Sequence, residues 1–157
     1  MAECVIFIGL PASGKTTFYQ RQFAATHQHI SKDLWPNVSN KDRRQAELMR
    51  QALSQGHSVV IDNTNPALAD RVPVIALAHE YGARVIGYYF TATTREAVGR
   101  NRGRDGKARV PDVAIFTRAK RMVRPSLEEG FDELYTVAID PAGDFSVQPM
   151  TVPAAEK

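Results

Sequence analysis

Gly9 to Thr16 read Gly-Leu-Pro-Ala-Ser-Gly-Lys-Thr, and they follow directly on the apolar run Cys4-Val5-Ile6-Phe7-Ile8. A buried strand, a tight glycine turn and a helix start, in that order, make a cradle for a chain of phosphates. Glycine lets the backbone curl until several N–H groups converge on anionic oxygens, where a Cβ would interfere. Lys15 can then reach the β- and γ-phosphates, and the Thr16 hydroxyl offers an oxygen ligand to Mg²⁺. Gly9, Ala12, Ser13, Gly14, Lys15, Thr16 and Thr17 are therefore the expected nucleotide contacts, with ATP and Mg²⁺ as expected cofactors.

Such a cradle serves kinases, GTPases and mechanical ATPases alike, so other residues must decide. Phosphoryl transfer needs in-line positioning, a metal, a proton acceptor and cations on the moving group. A guanine reader would show Asn-Lys-x-Asp after a strand; Asn40-Lys41-Asp42 lacks the spacer and follows a polar stretch. Asp33, just past a short expected strand ending at His29-Ile30-Ser31, falls where carboxyl ends of strands line a ligand crevice. There a carboxylate can take the proton of an acceptor hydroxyl, although a helix-capping Asp is the plainer alternative. Asp62 closes the run His57-Ser58-Val59-Val60-Ile61 and, near Thr16, can hold a Mg²⁺-bound water or an arginine. Arg100 and Arg104 lie in a basic segment and can grip phosphoryl oxygens with two-pronged contacts. Arg102 and Lys107 serve equally well as solvated charges. The four histidines match no zinc spacing.

The elements that must position these groups alternate between apolar runs and helix-period segments, which predicts βαβ units and a parallel sheet. Strands are expected at 4–9, ending near 31, at 57–62, 83–90 and 134–140; helices at 15–26, 42–55, 65–82, 94–102 and 111–123. Asn65-Pro66 reads as helix cap plus first-turn proline, with Pro73 forcing a kink or a late start. Residues 103–110 have turn chemistry and high charge and are expected to form a mobile loop. Phe18 and Phe23 are candidates for the buried side of the first helix. The expected organisation is one domain at 1–140, followed by a loosely held tail at 141–157.

The 157 residues suffice to bury roughly two-thirds of the unfolded surface. With 43% hydrophobic and 24% charged residues the composition is that of a soluble domain. No apolar stretch nears the roughly 20 residues that cross a bilayer. The single cysteine, Cys4, sits in the first strand pattern, so a core role and a reducing cytoplasm are expected. Net charge is +3, but the segment from Arg95 to Arg124 holds ten Lys/Arg against Glu96, Asp105 and Asp112. That block is suited to a polyanionic ligand.

Four blocks taken together resemble the kinase domain of polynucleotide 5′-hydroxyl kinases: GLPASGKTTF, ISKDLW, VVIDNTNP, and RNRGRDGKARVPDV with EEGFDEL downstream. The resemblance implies a P-loop kinase fold and ATP- and Mg²⁺-dependent transfer to the 5′-hydroxyl of DNA or RNA. On it, Asp33 becomes the general base, Arg104 the lid arginine with Arg100 beside it, and Asp62 an active-site carboxylate that with Thr16 serves the metal. Lys32, Asn63 and one of Arg43 or Arg44 join Asp33 and Asp62 on the acceptor side. Two positions depart from that pattern: Lys32 replaces an arginine before the base, and Pro36 stands where the phage enzyme carries an arginine for the substrate phosphate. The alternatives are a kinase for a small hydroxyl-bearing molecule, nucleoside or metabolite, and a nucleotide-binding regulatory module. No membrane partner is expected.

Overall fold

The computed structural model describes residues 2–106 and 109–150. Six strands form one sheet: β1 (Glu3–Ile8), β2 (Gln28–Ile30), β3 (Val59–Asp62), β4 (Arg84–Phe90), β5 (Glu133–Ile139) and β6 (Phe145–Pro149). Their order across the sheet is β2-β3-β1-β4-β5-β6, with the first five parallel and β6 antiparallel to β5. The helices are α1 (Lys15–Gln22), α2 (Lys41–Ser54), α3 (Leu68–Glu80), α4 (Thr94–Arg102) and α5 (Asp112–Arg121). This is the α/β, mainly parallel, P-loop architecture that the alternating pattern calls for.

Apolar runs without alternation in β1, β3 and β4 mean that both sheet faces are covered. Cys4, Ile6 and Ile8 face Met49 and Leu53 of α2 and Val74, Ile75 and Ala78 of α3. Val5 and Phe7 face α1, against Phe18, Tyr19 and Phe90. That second layer is aromatic: Phe18 packs edge-on to Phe90 at 5.5 Å and to Phe145 at 5.1 Å. Burying one such ring stabilises the fold by about 2–3 kcal/mol. A third cluster, Leu10 with Ala97 and Ile115, fastens α4 and α5 over the end of β1. Cys4 is a core residue whose thiol burial pushes its pKa up to about 12.

Several boundaries differ from the sequence expectation. Helix α1 stops at Gln22 and the chain turns through Phe23–His27, where the Tyr19 hydroxyl donates to His27 O at 2.6 Å. Phe18 is buried as expected, while Phe23 is half-buried. Helix α3 begins late, at Leu68, because Asn65 takes a left-handed φ of 47° and Pro66 lies before the helix. Pro73 is accommodated within it. The loose tail expected from 141 does not hold for 145–149: Val147 pairs with Val137 and Phe145 with Ile139. A five-residue strand with few apolar side chains carries little signal of its own, and here the edge of β5 and the aromatic layer supply the partner.

Candidate active site

Three strand ends deliver the chemistry to one place. β1 sits between β3 and β4, so the loop leaving it enters the middle of the sheet's carboxyl edge. Gly9 lies so close to Phe90 that an added Cβ would approach Phe90 Cβ at 2.8 Å and Ser13 Oγ at 3.0 Å. Its N–H donates to Thr64 O at 3.1 Å, fastening the loop to the segment after β3. Ala12 is held at a φ of 63°, which costs an L-residue about 1 kcal/mol. Gly14, at φ 94°, caps α1 without any side-chain acceptor, so the first-turn N–H groups remain available. Ser13 Oγ is, among the described residues, the buried side-chain polar atom left without a hydrogen-bond partner. Open amides, an unsatisfied hydroxyl and a strained curl fit a phosphate chain.

Lys15 folds back over this loop, donating from Nζ to Leu10 O at 2.8 Å and Gly9 O at 3.1 Å. Burial lowers its pKa to about 8; Asp62 and Asp33 oppose that shift, while Arg104 and Arg118 add to it. The Thr16 hydroxyl donates to Asp62 Oδ2 at 3.1 Å, and His29 Nε2 lies 2.8 Å from the same oxygen. Two hard oxygen groups, one hydroxyl and one carboxylate, therefore meet beside the loop, a donor set suited to Mg²⁺.

Asp33 stands in a single 3₁₀ turn, Lys32–Leu34, directly after β2. Ser31 Oγ accepts from the Asp33 N–H at 3.3 Å, and Asn63 Oδ1 accepts from the Lys32 N–H at 2.9 Å. Asn63 in turn donates to the buried Gln45 of α2 at 2.7 Å. These bonds tie the turn bearing the carboxylate to β3 and α2. The Asp33 side chain is exposed and borders a cleft of about 990 Å³ that Lys15, Thr16, Thr17, Asp62, Asn63, Arg100 and Arg104 also line.

Not every expected residue reaches the cleft. Arg43 and Arg44 project from the exposed face of α2 and pair with Glu47 at 3.4 and 3.8 Å. Lys32 turns its ammonium to Asp42. Lys41, at the start of α2, lines the cleft beside Asp33 and Pro36 instead. Of the basic block, Arg100, Arg104 and Arg118 face the cleft, whereas Arg102 lies 3.9 Å from Asp112 and Arg121 lies 3.3 Å from Asp70. Lys107 lies outside the described residues. Asn101, fully buried, grips Val110 from both sides, donating to its O at 2.6 Å and accepting from its N–H at 2.9 Å. That clamp pins Val110 back onto α4.

Arg21, Arg118, Ile139 and Phe145 were not expected at the site. The Arg21 guanidinium lies 5.5 Å from the Phe145 ring centre, a cation–π distance. Ile139 and Phe145 press on Gly14 so closely that a Cβ there would approach them at 2.9 and 3.1 Å. One end of the cleft is thus apolar and the other carries Asp33, Pro36 and Lys41.

Fold and site together define a P-loop nucleotide-binding protein of the NTPase and kinase superfamily. Residues 4–125 match the family described as AAA domain, and the chain belongs to that family. It is 28% identical over 139 residues to a bifunctional polynucleotide phosphatase/kinase of Schizosaccharomyces pombe, covering 86% of this chain and 33% of that protein. The chain spans about a third of the length of the curated relatives it matches. Its fold is similar to that of Chaetomium thermophilum Kti12, crystallised with ADP-AlF3, at a TM-score of 0.71 and 18% identity over 89% of this chain and 92% of that one. It is also similar to a gluconokinase from Sinorhizobium meliloti, at a TM-score of 0.61 and 15% identity over 87% of this chain and 82% of that one. Among the described residues no helix is long and apolar enough to cross a membrane.

Proposed function

We propose that this chain is an ATP-dependent kinase that moves the γ-phosphoryl group of ATP onto an alcohol. The observation that carries the reading is the convergence of Lys15, Asp33, Asp62, Arg100 and Arg104 on one cleft at the carboxyl edge of the sheet. The triphosphate lies on the first-turn amides of α1, with Lys15 released from its loop carbonyls onto the β- and γ-oxygens. Mg²⁺ bound with the nucleotide neutralises phosphate charge, and Thr16 and Asp62 would hold it. Asp33 accepts the proton of the acceptor hydroxyl as that oxygen bonds to the γ-phosphorus and the bond to the β-phosphate oxygen breaks. Arg100, Arg104 and Arg118 offset charge on the moving group. The nucleobase lies at the apolar end, toward Ile139 and Phe145, because the reacting phosphate must sit toward Asp33.

The acceptor is a small hydroxyl-bearing molecule. Pro36 stands at the cleft wall and Arg43 and Arg44 lie on the exposed face of α2, so that among the described residues the acceptor side shows no arginine track for a polynucleotide backbone. The kinship in fold with a gluconokinase supports that reading. A second reading, transfer to a nucleic-acid 5′-hydroxyl, draws on the similarity to the fission-yeast phosphatase/kinase. One batch of γ-labelled ATP offered to sugar acids, nucleosides, nucleoside 3′-phosphates and a 5′-hydroxyl oligonucleotide separates the two. Label on a small acceptor, with the oligonucleotide poorer, is expected. Preferential labelling of the oligonucleotide, with affinity falling steeply in salt, establishes the second reading instead. No label on any alcohol, with ATP bound, overturns both.

A further inference from the structure

His29 is unused by the reaction as described, yet it is the neighbour most closely engaged with Asp62. The parallel register sets His29 opposite Val60 and Ile30 opposite Ile61, so His29 comes up beside the end of β3. Its ring is stacked on Tyr19, 4.2 Å between centres and 18° between planes. Tyr19 is itself fixed by its hydroxyl on His27 O. The imidazole is thus held by the strand on one side and by α1 on the other, with Nε2 2.8 Å from Asp62 Oδ2. The Asp62 side chain is only 3% exposed.

An ionised carboxylate can only accept, so the nitrogen facing it carries the hydrogen. Oδ2 then receives two donors, the Thr16 hydroxyl and His29 Nε2, and the other oxygen, Oδ1, is left for the cleft. The two donors are not equivalent. A hydroxyl called upon as a metal ligand reorients, whereas a ring clamped between β2 and Tyr19 stays where it is.

We propose that His29 is a positioning residue for the metal-holding carboxylate: its Nε2 hydrogen bond fixes Asp62 so that Oδ1 faces the phosphates. This rests on the reading of Thr16 and Asp62 as the Mg²⁺ groups. It needs neither the identity of the acceptor nor turnover. The imidazole touches no reacting atom and acts only through Asp62.

The donor and the stack can be separated. His29→Phe keeps a ring on Tyr19 and removes the hydrogen; His29→Gln removes the ring and keeps an N–H of similar reach. Mn²⁺ binding is followed by electron paramagnetic resonance in the presence of a non-hydrolysable ATP analogue, beside analogue affinity in EDTA and thermal midpoint. His29→Phe should weaken Mn²⁺ binding about 10-fold or more, within the range for lost outer-shell partners. Metal-free analogue affinity should stay unchanged, and His29→Gln should bind Mn²⁺ within about 3-fold of the parent. Unaltered Mn²⁺ affinity in His29→Phe overturns the proposal. So does an equal loss in both variants, which would make His29 a packing residue. Should His29→Phe not fold, the unmodified protein decides: the His29 imidazole nitrogen resonances must shift on adding Mg²⁺ with the analogue, while those of exposed His57 stay put. A stationary His29 signal overturns it. Failure of the kinase reading looks different, as intact metal and nucleotide binding with no labelled acceptor.

Discussion

The Thr16 hydroxyl and Asp62 Oδ2 meet at 3.1 Å across 46 residues of sequence, joining the first turn of α1 to the last residue of β3. The parallel register that sets Phe7 opposite Asp62 brings this about, since the loop leaving β1 then curls directly over the end of β3. Replacing Asp62 by Asn keeps a hydrogen-bond acceptor for Thr16 and removes the charge. Asp62→Asn should therefore fold normally, bind ATP in EDTA as the parent does, and need at least about tenfold more Mg²⁺ for half-maximal turnover. A Mg²⁺ titration of ATP turnover checks this, and an unshifted midpoint removes Asp62 from the metal site.

Asp33 is tested differently because it is exposed and, among the described residues, its carboxylate makes no hydrogen bond or ion pair. Asp33→Asn should leave thermal stability and ATP affinity unchanged, and it should lower kcat by about 10²- to 10⁴-fold. Single-turnover measurement isolates the chemical step from product release. A kcat within a few fold of the parent would deny Asp33 the proton.

Lys15 gives the site a pH signature. Its pKa in the free protein is about 8, against an ordinary 10.5, because burial penalises the ammonium. Between about pH 8 and 10.5 the unfolded chain holds a proton there that the folded chain has lost, so this group makes the fold more stable as pH rises through that window. Nucleotide affinity moves the opposite way. Phosphates bind the charged form, and above pH 8 each unit should weaken metal-free ATP binding by up to about tenfold. Isothermal titration calorimetry from pH 7 to 9.5 reads the slope, and Lys15→Met should flatten it.

Much of this was legible in the sequence, and the rest was hidden for identifiable reasons. The Gly9–Thr16 loop and Asp62 stand out because each follows an apolar run or carries a spacing that phosphate chemistry demands, Asp33 because it follows a short strand, and Arg100 and Arg104 because they lie in the basic block. The parallel α/β sheet follows from the same alternation. Phe145 was missed because β6 is short and mixed in polarity, so its partner across the sheet makes it a strand. Arg43 and Arg44 have suitable chemistry, but their place on α2 sets them beside Glu47, while Lys41 at the start of the same helix lines the cleft. His29 lay in plain view as a residue type, and only the β2–β3 register reveals that it faces Asp62.

The apolar end of the cleft predicts a separation of KM from kcat. Phe145 packs on Phe18 and Gly14 and has the Arg21 guanidinium over its ring, on β6 at the opposite edge of the sheet from β2, which Asp33 follows. Losing an aromatic platform for a base costs about 1–3 kcal/mol. Phe145→Leu, which keeps the strand packed, should raise KM for ATP several-fold with kcat nearly unchanged. An equal fall in kcat would place this ring nearer the chemistry than the cleft allows.

Arg71 supplies the sharpest test of what holds the site together. It is fully buried, yet its guanidinium is satisfied on three sides: Glu129 at 2.8 and 3.4 Å, Asn65 O at 3.2 Å and Val123 O at 3.0 Å. Asn65 anchors the segment after Asp62 by donating to Phe7 O at 2.8 Å, and Val123 follows α5, the helix that carries Arg118. One side chain therefore braces the segment after β3 against the residues that follow α5. Arg71→Met leaves the Glu129 carboxylate with the Ser126 N–H alone and frees Asn65 O and Val123 O, and breaking such a buried pair costs about 3–5 kcal/mol. For a chain of this size that is a fall of about 10 °C in Tm. Adding Glu129→Leu removes the unpaired charge together with its cap on the Ser126 N–H and should recover part of the loss, because the penalty lies in the unpaired charge more than in the missing bonds. If the double variant is no more stable than Arg71→Met, the two carbonyls, and not the ion pair, are what the arginine is there to hold.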